Sequence, residues 1–177
     1  MRIISGQHKG RRITAPKKLP IRPTTDFAKE ALFNIINNRF HFKNLEVLDL
    51  YSGSGNISYE FGSRGSGPIT SVDANFDCVK FIKKTADELE LNITPVKSDV
   101  LKYLEKAPIK ADIIFADPPY DLDVATLQNI VAITFERELL KEEGVLIIEH
   151  SKRLDLSETP HFEEIRKYGN SVFSFFS

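Results

Sequence analysis

A chain of 177 residues and 20.1 kDa is long enough for one domain with a sizeable core, or one domain plus a short appendage. With 41% apolar and 28% charged residues it has an ordinary globular balance, which excludes a disordered or fibrous chain, and no stretch approaches the ~20 apolar residues of a membrane helix. The net charge of −1 hides an asymmetry: residues 1–25 hold seven basic side chains and no acidic one, leaving 17 basic against 25 acidic residues elsewhere, a net −8.

A basic arm on an acidic body suggests a polyanionic partner, because clustered Lys and Arg raise the local potential and displace phosphate counterions. The opening MRIISGQHKGRR has no apolar leader, so no secretory signal is expected. The single Cys78 cannot form an internal disulfide, and Cys/His clustering of the zinc type is absent, so no metal is expected. A cytoplasmic address follows.

In chain order, RIIS and RRIT, separated by GQHKG, read as two short strands joined by a glycine-containing turn. The connector APKKLPIRPTT packs three prolines into an extended segment, which divides a basic arm over 1–23 from a main domain over 24–177. Thr24, Thr25 or Asp26 can cap a helix whose Phe27, Ala31, Leu32, Ile35 and Ile36 form one stripe and which ends near Asn37-Asn38. Beyond residue 45, short apolar runs alternate with amphipathic segments. The runs are EVLDL (46–50), ITSVD (69–73), ITPVK (93–97), ADIIFA (111–116) and GVLIIEH (144–150), with helical spacing over 75–89 and 123–136. Five strands, each followed by a helix or loop, predict a parallel sheet covered on both faces. HFEEIRKYG and SVFSFFS then read as an antiparallel hairpin added to it.

Two loops carry the chemistry. The first, Asp49-Leu50-Tyr51-Ser52-Gly53-Ser54-Gly55-Asn56, is a glycine-containing strand-to-helix turn that lets the backbone approach a ligand closely. Asp73 lies 20 residues beyond Gly53 at the end of the second run, where a carboxylate meets ribose hydroxyls in dinucleotide-binding folds. Ser58 occupies the position of the third glycine of that fingerprint, so an adenosine-bearing ligand without a pyrophosphate fits better. Asp99 can accept from an adenine amine and can equally cap a helix over 99–105, and the two roles are compatible.

The second loop is Asp117-Pro118-Pro119-Tyr120. Two prolines after a buried strand fix the backbone and remove two N–H donors, leaving carbonyls that only accept. With the Asp carboxylate they make an acceptor-rich niche beside an aromatic ring, suited to a planar amine whose adjoining ring stacks on Tyr120.

D-x-x-x-G-x-G followed by D-P-P-Y resembles the class I S-adenosylmethionine-dependent amino-methyltransferases, whose first motif generically has glycine where Tyr51 stands. Nearly the whole chain resembles the RsmD family, the 16S rRNA guanine-N2 methyltransferases. Matching segments include Arg2-Ile3-Ile4-Ser5-Gly6 with Gly10-Arg11-Arg12, and Arg22-Pro23-Thr24-Thr25-Asp26. Others are Glu30-Ala31-Leu32-Phe33-Asn34-Ile35, Ser63-Arg64-Gly65 and the Tyr168-Gly169…Phe175-Phe176 ending. The resemblance departs at Phe27, where the family usually has a basic residue, and at Asn56-Ile57-Ser58, which replaces small residues after the glycine loop.

The resemblance implies an α/β, class I methyltransferase Rossmann-like fold: a mostly parallel seven-stranded sheet with an antiparallel C-terminal hairpin, plus a small N-terminal β-hairpin and helix extension. It implies transfer of a methyl from S-adenosylmethionine to a guanine N2 amine of 16S rRNA in the small subunit or an assembly intermediate, by a monomer. Asp117, Pro118 and Tyr120 would be catalytic. Asp49, Tyr51, Gly53, Gly55, Asn56, Asp73, Asp99 and Asp117 would bind the cofactor, and Arg2, His8, Lys9, Arg11, Arg12 and Arg22 the RNA. The motif D-P-P-Y also serves adenine-N6 and protein-amine methylation, and a non-catalytic RNA-binding assembly factor is the rival of another class. His41, His150 and His161 share no ligand spacing, and Cys78 reads as packing or surface.

Overall fold

In the computed structural model, which describes residues 1–20 and 24–177, short apolar runs become strands and the amphipathic segments between them become helices. The order is α1 (Asp26–Arg39), β1 (Val47–Leu50), α2 (Asn56–Ser63), β2 (Ile69–Asp73), α3 (Phe76–Glu88) and β3 (Ile93–Lys97). There follow α4 (Val100–Leu104), β4 (Ala111–Ala116), α5 (Val124–Glu136), β5 (Leu140–Ser151), β6 (Phe162–Tyr168) and β7 (Ser171–Phe176). Polar residues set the helix starts, at Thr25 and Asp99 as the sequence predicts and also at Asn75 and Asp123: each side chain accepts a backbone N–H three residues on.

The strands form one seven-stranded sheet in the order β3-β2-β1-β4-β5-β7-β6. The first five are parallel and β7 joins β5 and β6 antiparallel, so the expected class I methyltransferase sheet with its C-terminal hairpin is present. Strand alternation divides the core into two layers. Val47, Ile113, Phe115, Val145 and Ile147 pack with Leu32, Phe33, Ile36 and Phe61, beneath α1, α2 and α3. Leu48, Leu50, Ile114, Leu146 and Ile148 pack with Leu104, Leu127, Ile130 and Val131 of α4 and α5. The C-terminal Phe173, Phe175 and Phe176 are buried in these layers.

The N-terminal arm differs from two short strands. It pairs with itself as a minimal hairpin, with Met1 bonded to Ile13, Ile3 to Arg11 and Gly10 to Ile3 around one antiparallel bridge between Arg2 and Arg12, and the residues between turn to α2. Ile4 and Ser5 donate N–H to the two carboxylate oxygens of Glu60 at 2.8 and 3.0 Å, Gln7 donates to the Ser63 carbonyl at 2.7 Å, and His8 to the Ser63 hydroxyl at 2.9 Å. The arm is thus laid along α2. Ile3 and Ile13 belong to the core. Gly6 allows this approach: at φ +85° a Cβ there would lie 1.9 Å from the Ser63 carbonyl oxygen. Helix α1 runs one residue past Asn37-Asn38 to Arg39, and β5 begins at Leu140, earlier than expected, through a register shift against β4.

Candidate active site

In this strand order the chain runs outward from β1 through β2 to β3, then returns to place β4 on β1's other side. Loops leaving β1 and β4 therefore diverge to opposite faces and open a crevice at the carboxyl ends of the strands, the usual ligand position in such sheets. Both loops singled out in the sequence lie there. With Asp49, Asp73, Asp99 and Thr14 they line a cleft of about 900 Å³, a volume suited to a small-molecule site.

The loop after β1 is held by its own backbone. Ser52 donates its N–H to the Val72 carbonyl at 3.1 Å and Gly55 to that of Ser52 at 2.7 Å. Tyr51 sits at φ +56°, the left-handed region that favours glycine and that few bulky residues adopt. Gly55, at φ +83°, leads into α2, and a Cβ there would lie 2.6 Å from the Tyr59 ring. The Asp73 carboxylate ends β2 and is fixed from both sides, accepting N–H bonds from Gly53 and Asn75 at 2.8 Å each. Tyr51 is half-buried beside Asp99, and burial together with that negative charge pushes its hydroxyl up to about 12.

Asp49 projects from β1 toward α2 and is only 1% exposed. The Ser58 hydroxyl donates to it at 2.5 Å and lies 2.6 Å from that of Ser71. Burial pushes its carboxyl up to about 7, opposed by the bonds from Ser58 and reinforced by the charge of Asp73. A buried carboxylate held so high gains most from a cation placed beside it.

On the other side of the cleft, β4 ends at Ala116, paired with Leu50, and the Asp117 N–H donates to the Leu50 carbonyl at 3.3 Å. Pro118 and Pro119 line the cleft wall and Tyr120 is 37% exposed at its mouth, its hydroxyl donating to the Asn170 carbonyl at 3.4 Å. The hairpin turn between β6 and β7 thereby steadies the D-P-P-Y loop.

Sequence reasoning missed a buried ionic cluster behind the site. Lys29 Nζ donates to the Arg2 carbonyl at 2.6 Å and to Asn56 Oδ1 at 2.8 Å, and lies 3.5 Å from Glu60. Glu60 also pairs with Arg64 at 2.9 Å. Lys29 and Glu60 are both fully buried, and desolvation lowers the Lys29 value against the raising effects of Glu60 and Asp26. One ammonium group thus joins the arm, α1, α2 and the first residue after the glycine loop. Asn56, expected at the cofactor, is therefore already engaged by Lys29.

Of the expected RNA contacts, Arg2 pairs with Asp26 at 3.2 Å, and Arg2 and Arg12 line a second groove that shares Met1, Ile13 and Thr14 with the cleft. Lys9 and Arg11 are exposed. His8 is pinned to α2 by its backbone and its Nε2 is buried, so its ring is not a free surface group. Arg22 lies outside the described residues. Cys78 is buried in α3, and desolvation pushes its thiol up to about 11, which is packing and no nucleophile.

The sheet order, the glycine loop after β1 and the acidic proline loop after β4 define a class I S-adenosylmethionine-dependent methyltransferase. The chain belongs to the family whose model, described as "Conserved hypothetical protein 95", matches residues 1–177, and the resemblance to the RsmD family holds. It is 32% identical over 161 residues to ribosomal RNA small subunit methyltransferase D of Buchnera aphidicola subsp. Baizongia pistaciae, covering 90% of this chain and 81% of that one. The protein of the same name in Escherichia coli K12 is 27% identical, over 90% and 79% of the two chains. Among solved structures, a hypothetical protein of Thermus thermophilus superposes with a TM-score of 0.86 at 25% identity, over 100% and 99% of the two chains. The 16S rRNA N2 G1207 methyltransferase RsmC of the same organism, solved with AdoMet and guanosine, shares the fold at a TM-score of 0.72 and 21% identity, over 90% of this chain and 45% of that one.

The cleft suits S-adenosylmethionine on its own chemistry. It offers a buried, proton-retaining carboxylate at Asp49 for a cation, fixed carboxylates at Asp73 and Asp99 for hydroxyl and amine donors, and a left-handed backbone loop for close approach.

Proposed function

We propose that this protein transfers a methyl group from S-adenosylmethionine to the exocyclic N2 amine of a guanine in 16S rRNA, within the small ribosomal subunit or an assembly intermediate. The observation that carries the reading is the meeting of the two loops across one cleft that also opens to the basic arm. The names of the relatives support the rRNA substrate and the small subunit. An rRNA substrate supports a cytoplasmic location, and the protein would act there as a monomer.

The bound cofactor supplies a methyl group activated by its positive sulfur. Asp49 would hold its ammonium, Asp73 its ribose hydroxyls and Asp99 its adenine amine, while Tyr51, Gly53, Gly55 and Asn56 would shape the wall. An exocyclic guanine amine is a weak nucleophile because its lone pair is delocalised into the ring. The Asp117 carboxylate and the Pro118 carbonyl accept its two N–H bonds, which favours rehybridisation at nitrogen as positive charge develops there. Tyr120 stacks on the extruded base, an interaction of about 1–3 kcal/mol on such platforms. The chain's main contribution is orientation, bringing the amine within ~3–3.5 Å of its target carbon. The product ammonium releases its proton to Asp117 or to solvent. Arg2, Lys9, Arg11, Arg12 and Arg22 hold rRNA phosphates, with His8 at the edge of that surface.

The test is transfer of labelled methyl from S-adenosylmethionine to undermodified small subunits, protein-free 16S rRNA and duplex DNA, with nucleoside analysis of the product. N2-methylguanosine in the rRNA of the subunits is the expected result. Label in methyladenine or in protein overturns the substrate assignment, and no label with no cofactor binding overturns the enzyme.

A further inference from the structure

Phe27, in the first turn of α1, is 66% exposed and is the most exposed large apolar side chain among the described residues. Single exposed apolar residues are common and need no explanation; the surroundings of this one do. Its ring packs edge-on against Tyr168, with centroids 6.2 Å apart and planes at 74°, and Tyr168 in turn rests on the buried Phe173 at 6.3 Å. Two residues beyond Tyr168, the Asn170 carbonyl accepts from the Tyr120 hydroxyl of the D-P-P-Y loop. On the other side Asp26 precedes Phe27, pairs with Arg2, and lines the groove that holds Arg2 and Arg12. An exposed ring backed by a half-buried one therefore adjoins in the chain both a residue of the basic groove, Asp26, and the turn that holds Tyr120.

We propose that Phe27, backed by Tyr168, is a second stacking platform that takes an unpaired nucleobase of the RNA beside the one entering the cleft. This rests on the RNA-methyltransferase reading above and adds to it how the substrate's single-stranded segment is held. Charge complementarity selects this occupant: Phe27 directly follows Asp26, whose groove holds the cationic Arg2 and Arg12, and its partner Tyr168 lies two residues from the carbonyl that holds Tyr120. The platform is sequence-tolerant, because every base has a π-face. A duplex cannot use it, since its bases are stacked on one another.

The chain contains no tryptophan, so Phe27→Trp gives a single fluorescent reporter at the platform. A short unstructured oligoribonucleotide is expected to quench its emission, and a duplex of equal length to leave it unchanged. Phe27→Ala is expected to raise Kd for the single strand by about 5- to 100-fold with the salt slope unaltered, because the phosphate contacts remain. Phe27→Arg is expected to recover part of that affinity with a steeper salt dependence. Thermal melting of each variant separates these effects from unfolding, which the exposure of the side chain makes small. If the wild type binds RNA and methylates rRNA while the Trp stays unquenched, or is quenched equally by duplex, or Phe27→Ala binds as well as wild type, the platform is overturned and the enzyme assignment stands. If Phe27→Ala binds RNA normally but loses methylation only of protein-bearing subunits, the platform contacts a ribosomal protein instead. If the wild type binds no RNA, both readings fall.

Discussion

Asp49 is a carboxylate in an environment that its residue type does not suggest, 1% exposed at the base of the cleft. Its ordinary value is 3.8, and burial holds it at about 7 in the folded chain. Between these pH values the folded state retains a proton on Asp49 that the unfolded state has released, so this residue's contribution to stability falls as pH rises from about 4 to about 7. Asp49→Asn is expected to flatten that slope in denaturant titrations at a series of pH values; an unchanged slope would show that another group is responsible. Cofactor binding should run the opposite way, tightening as pH rises from about 6 to about 8, because the ionised carboxylate is the form that pairs with an ammonium. Calorimetry on wild type and Asp49→Asn measures this, and equal pH profiles would place the ammonium elsewhere. Across the cleft, Asp117→Ala is expected to abolish methyl transfer while cofactor binding survives, since the residue acts on the acceptor amine. Simultaneous loss of both in a folded variant would reassign it to the cofactor.

At the scale of elements, the arm and α2 behave as one unit because Glu60 accepts from the backbone of the arm and from the ions beneath it. Lys29→Met leaves Glu60 buried beside Arg64 alone and frees the Arg2 carbonyl and Asn56 from their shared donor. Breaking a buried pair on one side costs about 3–5 kcal/mol, and the loss should appear in urea unfolding together with faster proteolysis of residues 1–20. An arm that stays protected would mean its apolar anchors, Ile3 and Ile13, suffice. The same element carries exposed charge that the fold does not need. Replacing Arg11 and Arg12 by Ala is expected to weaken RNA binding and to lower its salt slope by about 1 for each phosphate left without its cation, with the melting temperature unchanged. An unchanged slope removes these two residues from the interface.

At the scale of the molecule, strand-length apolar runs, polar helix caps and the two loop motifs were legible in the chain because each is a local property of a few consecutive residues. Asp99 as the cap of α4 and the hairpin of β6 and β7 were readable for that reason. The Lys29–Glu60 cluster was not. A lysine and a glutamate on amphipathic helices look like a solvated face until the partner elements cover them, and no spacing rule links positions 29 and 60. The docking of the arm on α2 has the same origin, since the N–H groups of Ile4, Ser5 and His8 are taken by Glu60 and Ser63, which lie more than fifty residues away. By itself, then, the sequence determined the class of fold, the family and the two loops that carry the chemistry, through short-range patterns that any single strand-loop-helix unit obeys. Only the tertiary structure decided that these loops meet across one cleft, that Asp49 is buried against Ser58, and that Phe27 is exposed against Tyr168. The physical reason is that strand order, desolvation and exposure are set by which distant segments pack together, and packing is not a property of neighbours in the chain.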